Sequence, residues 1–293
     1  MAPVVRRALV TAGVVLLVLL LIGTTYQGVA TALERRRFPH PGRLVDVGGH
    51  QLHLFCTGKG TPTVVLEAPE ATMSAAWALV QMSVGPVTRV CSYDRAGLGW
   101  SEAGDKPFAP DEAAPQLQAL LAKADERGPF IVVGAELGAA LARLYASRYP
   151  DDTAALVLVN VPGAGGVRLQ PDLLAPSPRF MALAPWLARA GVLRATRTWS
   201  ASVRGLPEPT AGALRSFLNR PDHLTRASGE LARRDDTIRR SEAAPLPRDV
   251  PVVQVEVEGR NRIALLADRR NASDVSEAIV RAVRRARSTV HPN

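Results

Sequence analysis

The stretch Phe130-Ile131-Val132-Val133-Gly134-Ala135-Glu136-Leu137-Gly138 changes character halfway along. Phe130–Gly134 is a short, unbroken apolar run, the pattern of a strand buried on both faces of a sheet. From Leu137 to Tyr149 the apolar residues recur at helical spacing, with Leu137, Leu141, Leu144 and Tyr145 on one side. A buried strand passing directly into a helix is a unit of α/β architecture.

Reading outward toward the N-terminus, Thr63–Glu67 and Arg89–Asp94 are further apolar runs of the buried-strand type. Arg43–Val47 and Gln51–Cys56 are β-rich runs joined through Gly48-Gly49, a hairpin signal. On the other side, Ala155–Val161 and the late run Val250–Glu256 read as strands. Asp274–Arg287 reads as a last helix, with Val275, Ile279, Val283 and Ala286 on one face and a capping-box-like start at Asp274 and Glu277. Between about residues 162 and 247 the strand signal disappears. That stretch is punctuated by Pro and predicts helices at Phe180–Val192, Thr210–Leu218 and His223–Arg240. The pattern predicts an α/β core sheet carrying a helical cap.

The chain has 293 residues, 47% hydrophobic and 22% charged, which excludes wholesale disorder. Two cysteines exclude a disulfide-stapled miniprotein and a four-cysteine metal site. The formal net charge is +9, carried almost entirely by arginine, since Lys59, Lys106 and Lys123 are the only lysines. The basic residues are spread along the chain and no zinc-finger or RNP-type motif accompanies them, so no nucleic-acid partner is expected. An anionic membrane surface is the simpler match for the charge.

Ala8–Leu33 contains no charged residue, and Ala8–Ile22 is mostly Val and Leu. A 20-residue helix at about 1.5 Å per residue spans roughly 30 Å, the hydrocarbon core of a bilayer. Arg6 and Arg7 precede the segment and Arg35, Arg36 and Arg37 follow it. Ala30-Thr31-Ala32 has the form of a signal-peptidase site but lies well past the apolar core, so an uncleaved anchor is expected. The chain then divides into an anchor at 1–34, a basic linker at 35–42 and an α/β domain at 43–293, with the cap at about 162–247. With both flanks basic, charge leaves the orientation open.

Three motifs in order carry a resemblance. They are Gly48-Gly49-His50-Gln51-Leu52-His53-Leu54, the turn Tyr93-Asp94-Arg95-Ala96-Gly97-Leu98-Gly99-Trp100-Ser101, and Gly134-Ala135-Glu136-Leu137-Gly138 followed by Ala142–Ala146 and Tyr149-Pro150. Over roughly Arg43–Arg287 the chain resembles the α/β-hydrolase superfamily, and most of all its membrane-anchored bacterial members. The resemblance implies a mostly parallel central sheet flanked by helices, with Gly134–Gly138 at the nucleophile elbow.

The same resemblance shows what is missing. The elbow residue, a nucleophilic Ser in the esterases of the superfamily, is Glu136, whose acyl product would be an anhydride. Members with Asp there open epoxides or displace halide through an alkyl ester that a His-activated water hydrolyses, and Glu is one methylene longer. The superfamily's His precedes the last helix, here around Leu265–Asn271, where no His occurs. The five histidines are His40, His50, His53, His223 and His291. For the acid, Glu256 and Glu258 are poor substitutes in the run to Gly259-Arg260-Asn261, and the alternative position is Asn160. The oxyanion loop reads Ala68-Pro69-Glu70-Ala71-Thr72-Met73-Ser74, and Pro69 has no N–H to offer. On the superfamily's course Glu70 approaches Glu136, which requires a raised pKa or an intervening cation such as Arg95.

No catalytic set is therefore expected to be intact, and Glu70, Glu136 and Leu137 are the candidate binding positions. The plainer reading makes Glu136 a solvated residue on a disused turn and the cap arginines a solvated helix face. Gly134, Gly138, Asp94, Gly97, Gly99 and Ser101 are expected to be structural. His53 is expected on the solvent side of its hairpin strand with His50 in the turn, an arrangement that gives no shared metal. In the superfamily's sheet order the strands of Cys56 and Cys91 are neighbours, which fits either a disulfide or two buried thiols. A disulfide would place the domain outside the cytoplasm. The expectation is a single-pass membrane protein, catalytically inactive, needing no cofactor or metal. Residues 8–33 would lie in the membrane and a capped pocket would take a small or lipid-like molecule or a partner protein. The alternative is an active hydrolase of esters, epoxides or halides with a carboxylate nucleophile or a displaced triad.

Overall fold

The structure is a computed structural model and describes residues 3–162, 178–199, 203–258 and 265–290. Among the described residues seven strands form one sheet: β1 (Arg43–Asp46), β2 (Gln51–Thr57), β3 (Val64–Glu67), β4 (Val90–Tyr93), β5 (Phe130–Ala135), β6 (Thr153–Val159) and β7 (Val252–Val255). Their order is β1-β2-β4-β3-β5-β6-β7, antiparallel at the β1–β2 and β2–β4 pairs and parallel from β4 to β7.

The apolar runs are continuous because both faces of the sheet are covered. Val64, Leu66, Ile131, Val133 and Val157 pack toward Trp77, Val80, Val275 and Ile279, and so toward the face covered by α2 (Ala78–Val84) and the last helix. The alternating residues Val65, Val132, Leu156 and Leu158 pack on the other face against α3 (Pro110–Lys123) and α4 (Leu137–Arg148), through Leu117, Leu121, Ala139, Ala142 and Tyr145. This is the fold class read from the sequence, an α/β-hydrolase fold with a helical cap.

Five helices form the described part of the cap: α5 (Pro178–Arg189), α6 (Val192–Ala195), α7 (Thr210–Phe217), α8 (Pro221–Ala232) and α9 (Arg234–Ala243). Residues 163–177, where the cap was expected to begin, lie outside the described residues, as do Gly259-Arg260-Asn261 and His291. The cap has its own core, in which Met181, Leu214, Phe217 and Leu224 meet Met73 and Leu98 from the loops after β3 and β4. Two sequence expectations are corrected here. The expected Phe180–Val192 helix breaks at Gly191, which takes a left-handed conformation (φ 71°), and His223–Arg240 divides into two helices at Arg233. The last helix, α10 (Arg269–Val290), starts earlier than Asp274. Its cap is the Asp268 carboxylate, which accepts the N–H of Arg270 at 2.8 Å and of Asn271 at 3.1 Å. The polar first turn Arg269-Arg270-Asn271 hides that start from hydrophobic periodicity.

The N-terminal helix α1 runs without a break over Pro3–Arg37 and is long and apolar enough to cross a membrane. Residues 3–22 are exposed along their whole length. From Gly23 onward the helix lies on the cap. A Cβ on Gly23 would sit 2.1 Å from the Ala190 carbonyl oxygen, so only glycine allows this approach. Gln27 is buried and donates to the Asn219 carbonyl at 2.7 Å, while Glu34 pairs with Arg194 and accepts from Ser216 at 2.7 Å. Arg35–Arg37, read as linker, are the last turn of α1. The segment that follows is held by the Trp100 Nε1–H, which donates to the Phe38 carbonyl at 3.1 Å.

Candidate active site

The elbow backbone is intact. Glu136 sits between β5 and α4 at φ 51°, ψ −117°, a strained conformation, with its N–H bonded to the Val159 carbonyl at 2.9 Å. A Cβ on Gly134 would lie 2.1 Å from the Gly138 oxygen, and one on Gly138 would lie 2.5 Å from the Glu67 oxygen. These glycines let α4 pack down on the ends of β3 and β5, which carry Glu67 beside Gly134 in register. The loop after β3 and the elbow therefore leave the sheet side by side. Glu136 is 3% exposed and Leu137 is fully buried. The solvated-turn reading of Glu136 is thus wrong, because the residue is buried.

The loop after β3 is occupied by an ion network. Arg95 is buried and donates from Nη1 to Glu67 and to the Ala68 carbonyl at 2.6 and 2.7 Å. Its Nη2 reaches the Pro69 carbonyl at 3.1 Å, and its Nε and Nη2 grip both carboxylate oxygens of Glu230 on α8 at 2.6 and 2.8 Å. Glu230 also accepts the Ala71 N–H at 3.1 Å. The Tyr93 hydroxyl donates to Glu67. Burial pushes the Glu67 carboxyl up, and the Arg95 guanidinium only partly offsets it. Burial and then Glu67 push Tyr93 well above its ordinary range. The Arg95 guanidinium, although burial opposes its charge, is raised well above its ordinary value by Glu230 and Glu67.

Two expectations change. Arg95 does not pair with Glu70; the cation beside Glu70 is Arg234 of α9, whose Nε donates to it at 3.0 Å. Arg234 and Glu230 are cap residues inside this network, so the cap arginines are not simply a solvated face. Glu67, Tyr93, Glu230 and Arg234 were all missed in the sequence. Two signals were present: a carboxylate ending an apolar strand at Glu67, and Tyr93-Asp94-Arg95 ending the adjacent strand. Glu230 lies 135 residues from Arg95 and gave none.

His53 and His223 are committed elsewhere. His53, expected on a solvent face, is wholly buried. Its Nδ1–H donates to Asp94 Oδ2 at 2.9 Å and its Nε2–H to the Pro41 carbonyl. An acceptor at each ring nitrogen favours the protonated ring. Burial would push His53 down, but Asp94 and the Pro41 carbonyl raise it above 6.5. Burial would likewise push Asp94 up, but His53 and the N–H groups of Ser74 and Trp100, at 2.6 and 2.9 Å, hold it below 3.8. The Ser74 hydroxyl stands 3.5 Å from the same Nδ1 that faces Asp94. A Ser-His-Asp relay needs the hydroxyl on one nitrogen and the carboxylate on the other, so this trio is not a displaced triad. His223 is buried in the cap, where Nδ1 accepts the Gly99 N–H at 3.1 Å and Nε2–H donates to the Ala71 carbonyl at 3.2 Å. Burial lowers its pKa, and the ring is a neutral strut between α8 and the two loops.

The remaining positions are scaffolding in this geometry. Ser101 accepts the His53 N–H at 2.8 Å and donates to the Asp94 carbonyl at 2.6 Å. Gly97 and Gly99 take φ 80° and 52°, and a Cβ on Gly99 would strike the Asp94 carboxylate. Asn160 at the end of β6 donates to the Val257 carbonyl at 3.0 Å and accepts its N–H at 2.8 Å, fastening β6 to the chain after β7. Cys56 and Cys91, directly opposite on β2 and β4, form a disulfide, which resolves the alternative left open by the sequence. An apolar cavity of about 450 Å³ is lined by Pro41, Phe55, Ala78, Met82 and Trp100 on the β2–β4 side. A groove of about 850 Å³, with charged and apolar lining, runs between the 97–108 loop and the cap. Neither lining includes Glu70, Glu136 or Leu137, so these cavities lie beside the elbow rather than over it.

No protein-family model matches the chain. An uncharacterized protein of Schizosaccharomyces pombe is 31% identical over 116 residues, which is 39% of this chain and 21% of that protein. An uncharacterized vacuolar membrane protein of Saccharomyces cerevisiae is 28% identical over 129 residues, 38% of this chain and 20% of that one. A Gibberella zeae protein described as an AB hydrolase superfamily protein is 33% identical over 90 residues, 30% of this chain and 28% of its own. The chain thus spans less than a third of each of these relatives. Among solved structures, the Cif epoxide hydrolase of Acinetobacter nosocomialis is similar with a TM-score of 0.62, 15% identity and 83% coverage of both chains. The enol-lactonase of Burkholderia xenovorans LB400 gives 0.59 at 16% identity, covering 83% of this chain and 100% of that one. A bacterial membrane phospholipase A gives 0.54 at 17% identity, covering 96% and 99%. With the sheet order, the elbow and the cap in place, this is an α/β-hydrolase-fold protein, and the α/β-hydrolase superfamily is the one its motifs resemble.

Proposed function

We propose that the protein is a membrane-anchored α/β-hydrolase-fold protein that does not hydrolyse, and that it binds a small or lipid-like ligand or a partner protein. One observation carries this reading. A donor of the loop where an ester hydrolase binds its oxyanion, the Ala71 N–H, is bonded to Glu230, and the cap histidine His223, which could have stood in as a base, is bonded through both nitrogens. Glu136 stands where a nucleophilic Ser would be, and His53 is tied to Asp94 and Pro41. The apolar α1 supports attachment to a membrane through residues 8–33. The Cys56–Cys91 disulfide supports an extracytoplasmic domain, because such bonds persist in oxidising compartments.

A second reading is favoured by the Glu136 carboxylate itself: an alkyl-enzyme hydrolase acting on epoxides or haloalkanes. Epoxide hydrolases are among the similar folds. It requires a base within hydrogen-bond reach of that carboxylate or its ester. The deciding experiment assays the full chain in micelles against short and medium acyl esters, an epoxide and a haloalkane, beside Glu136→Ala and Glu136→Ser. The expected result is the buffer rate for all three proteins. Turnover by the wild type that Glu136→Ala abolishes establishes the second reading, and ester turnover gained by Glu136→Ser shows that the oxyanion loop still works.

A further inference from the structure

The groove of about 850 Å³ is bounded by the 97–108 loop, α8 and the last turn of α1. Arg220, the residue before α8, lines it and is 5% exposed. Its guanidinium lies over the Phe217 ring at 3.8 Å and donates to the Ser216 hydroxyl at 3.3 Å, while its Nε has no partner. Among the described residues Arg220 makes no ion pair within 4 Å; burial pushes it down to about 10, with Asp222 and Glu34 opposing that fall and Arg35 and Arg194 adding to it. The buried Arg95, by contrast, has two carboxylates directly against it. A buried cation whose carboxylates stand off is costly unless something closer supplies a counter-charge.

The surrounding charges point the same way. Arg189 and Arg35 line the same groove, with Lys106 and Arg226 toward its far end. Its carboxylates are partly engaged: Asp222 accepts the His223 N–H and stands 3.8 Å from Arg35, and Glu102 accepts the Gln51 N–H. Asp105 completes the acidic lining. The planar edge of a guanidinium stacked on an aromatic ring suits a tetrahedral oxyanion, which it can meet with two parallel N–H groups.

The position of the groove suggests where that anion comes from. The uncharged run 8–22 of α1 is exposed and, at about 1.5 Å per residue, covers roughly 22 Å of hydrocarbon, with Arg6 and Arg7 beyond its far end. Gly23 is in contact with Ala190, next to Arg189, and Gln27, one turn on, bonds the Asn219 carbonyl, next to Arg220. Arg189 and Arg220 therefore stand within the first turn of α1 beyond the hydrocarbon, at headgroup height. On the same side α5 exposes Leu183 and Trp186, the latter 68% exposed with the Arg189 guanidinium 4.9 Å above its ring. An exposed Trp and a basic residue at the end of a spanning helix are interface residues.

We propose that Arg220, with Arg189 and Arg35, forms a phosphate site, and that the phosphate is the headgroup of an anionic phospholipid in the leaflet beside α1. This rests on α1 spanning a bilayer, and the test separates the two. The full chain is prepared in neutral micelles doped with phosphatidylglycerol or phosphatidylcholine, and native mass spectrometry counts retained lipid. The wild type is expected to retain one phosphatidylglycerol in preference to phosphatidylcholine by about tenfold, the scale of a charge-assisted bond. Arg220→Gln and Arg189→Gln are each expected to lose that preference. Arg189 is exposed, so its variant tests the site even if Arg220→Gln misfolds. Equal retention of the two lipids overturns the proposal. A rise in Tm with inorganic phosphate that Arg220→Gln abolishes, without any lipid preference, overturns the lipid source and leaves a soluble phosphate as the ligand. Release of the wild type from vesicles by alkaline carbonate refutes the spanning helix, whatever the headgroup result.

Discussion

The elbow and the loop that faces it are held in different ways. At the elbow the backbone is held by packing: Glu136 keeps φ 51° between Gly134 and Gly138, which admit α4 to the sheet. In the facing loop, residues 68–71, the backbone groups themselves have been taken up, by Arg95 and Glu230. The elbow is set by packing between a strand and a helix, which does not depend on the chemistry at its apex. The loop after β3 has no such packing constraint, and its Ala71 N–H and the Ala68 and Pro69 carbonyls are held instead by charged side chains, one of them from a cap helix.

Three changes would break or sharpen that contrast. The largest effect is expected from Arg95→Leu, which leaves Glu67 and Glu230 buried without their cation. Losing one partner of a buried ion network costs about 3–5 kcal/mol. A denaturant midpoint for the full chain in micelles measures it, and a change below 1 kcal/mol, the scale of a surface pair, would mean the network does not hold the cap. Gly138→Ala is next, at about 1–3 kcal/mol of overpacking, because the new methyl meets backbone oxygens of Glu67 and Ala68 that cannot rotate aside. It is expected to disturb both regions at once, visible as lost protection of the α4 amides in hydrogen exchange.

The smallest effect is a pH dependence from His53 and Asp94. His53 is raised in the folded state, so its stabilisation is complete below 6.5 and is lost as pH rises through the folded value. Asp94 is lowered, so its stabilisation is complete above 3.8 and is lost as pH falls through its folded value. The pair is expected to stabilise most between 3.8 and 6.5. His53→Gln is expected to remove the alkaline fall in Tm while leaving a lower baseline. A variant that keeps that fall would place its origin in another group.

The sheet was legible because a strand covered on both faces must be apolar throughout, as Phe130–Gly134 and Thr63–Glu67 are. The elbow was legible because its glycines are a steric necessity. The partners of the site were not. His53 alternates with Leu52 and Leu54 like a half-exposed strand residue, and only the folded chain brings Asp94 and Pro41 over it. Glu230 and Arg234 stand among other charged residues of α8 and α9, and nothing local separates a buried carboxylate from a solvated one. Sequence patterns report the neighbours of a residue along its own element, whereas ion networks are made between elements.

The seam between α1 and the cap has a mechanical consequence. A helix joined to its domain by a flexible tether can lean without turning what it carries. Here Gly23, Gln27 and Glu34 are fixed to α5, α6 and α7 or the residues beside them, so α1 and the cap move as one lever. In a bilayer thinner than its apolar run, such a helix tilts to match the hydrocarbon. If α1 spans a bilayer, every degree of that tilt is a degree of rotation of the cap it is fixed to. Bilayer thickness would set which edge of the cap dips toward the lipid and which lifts away.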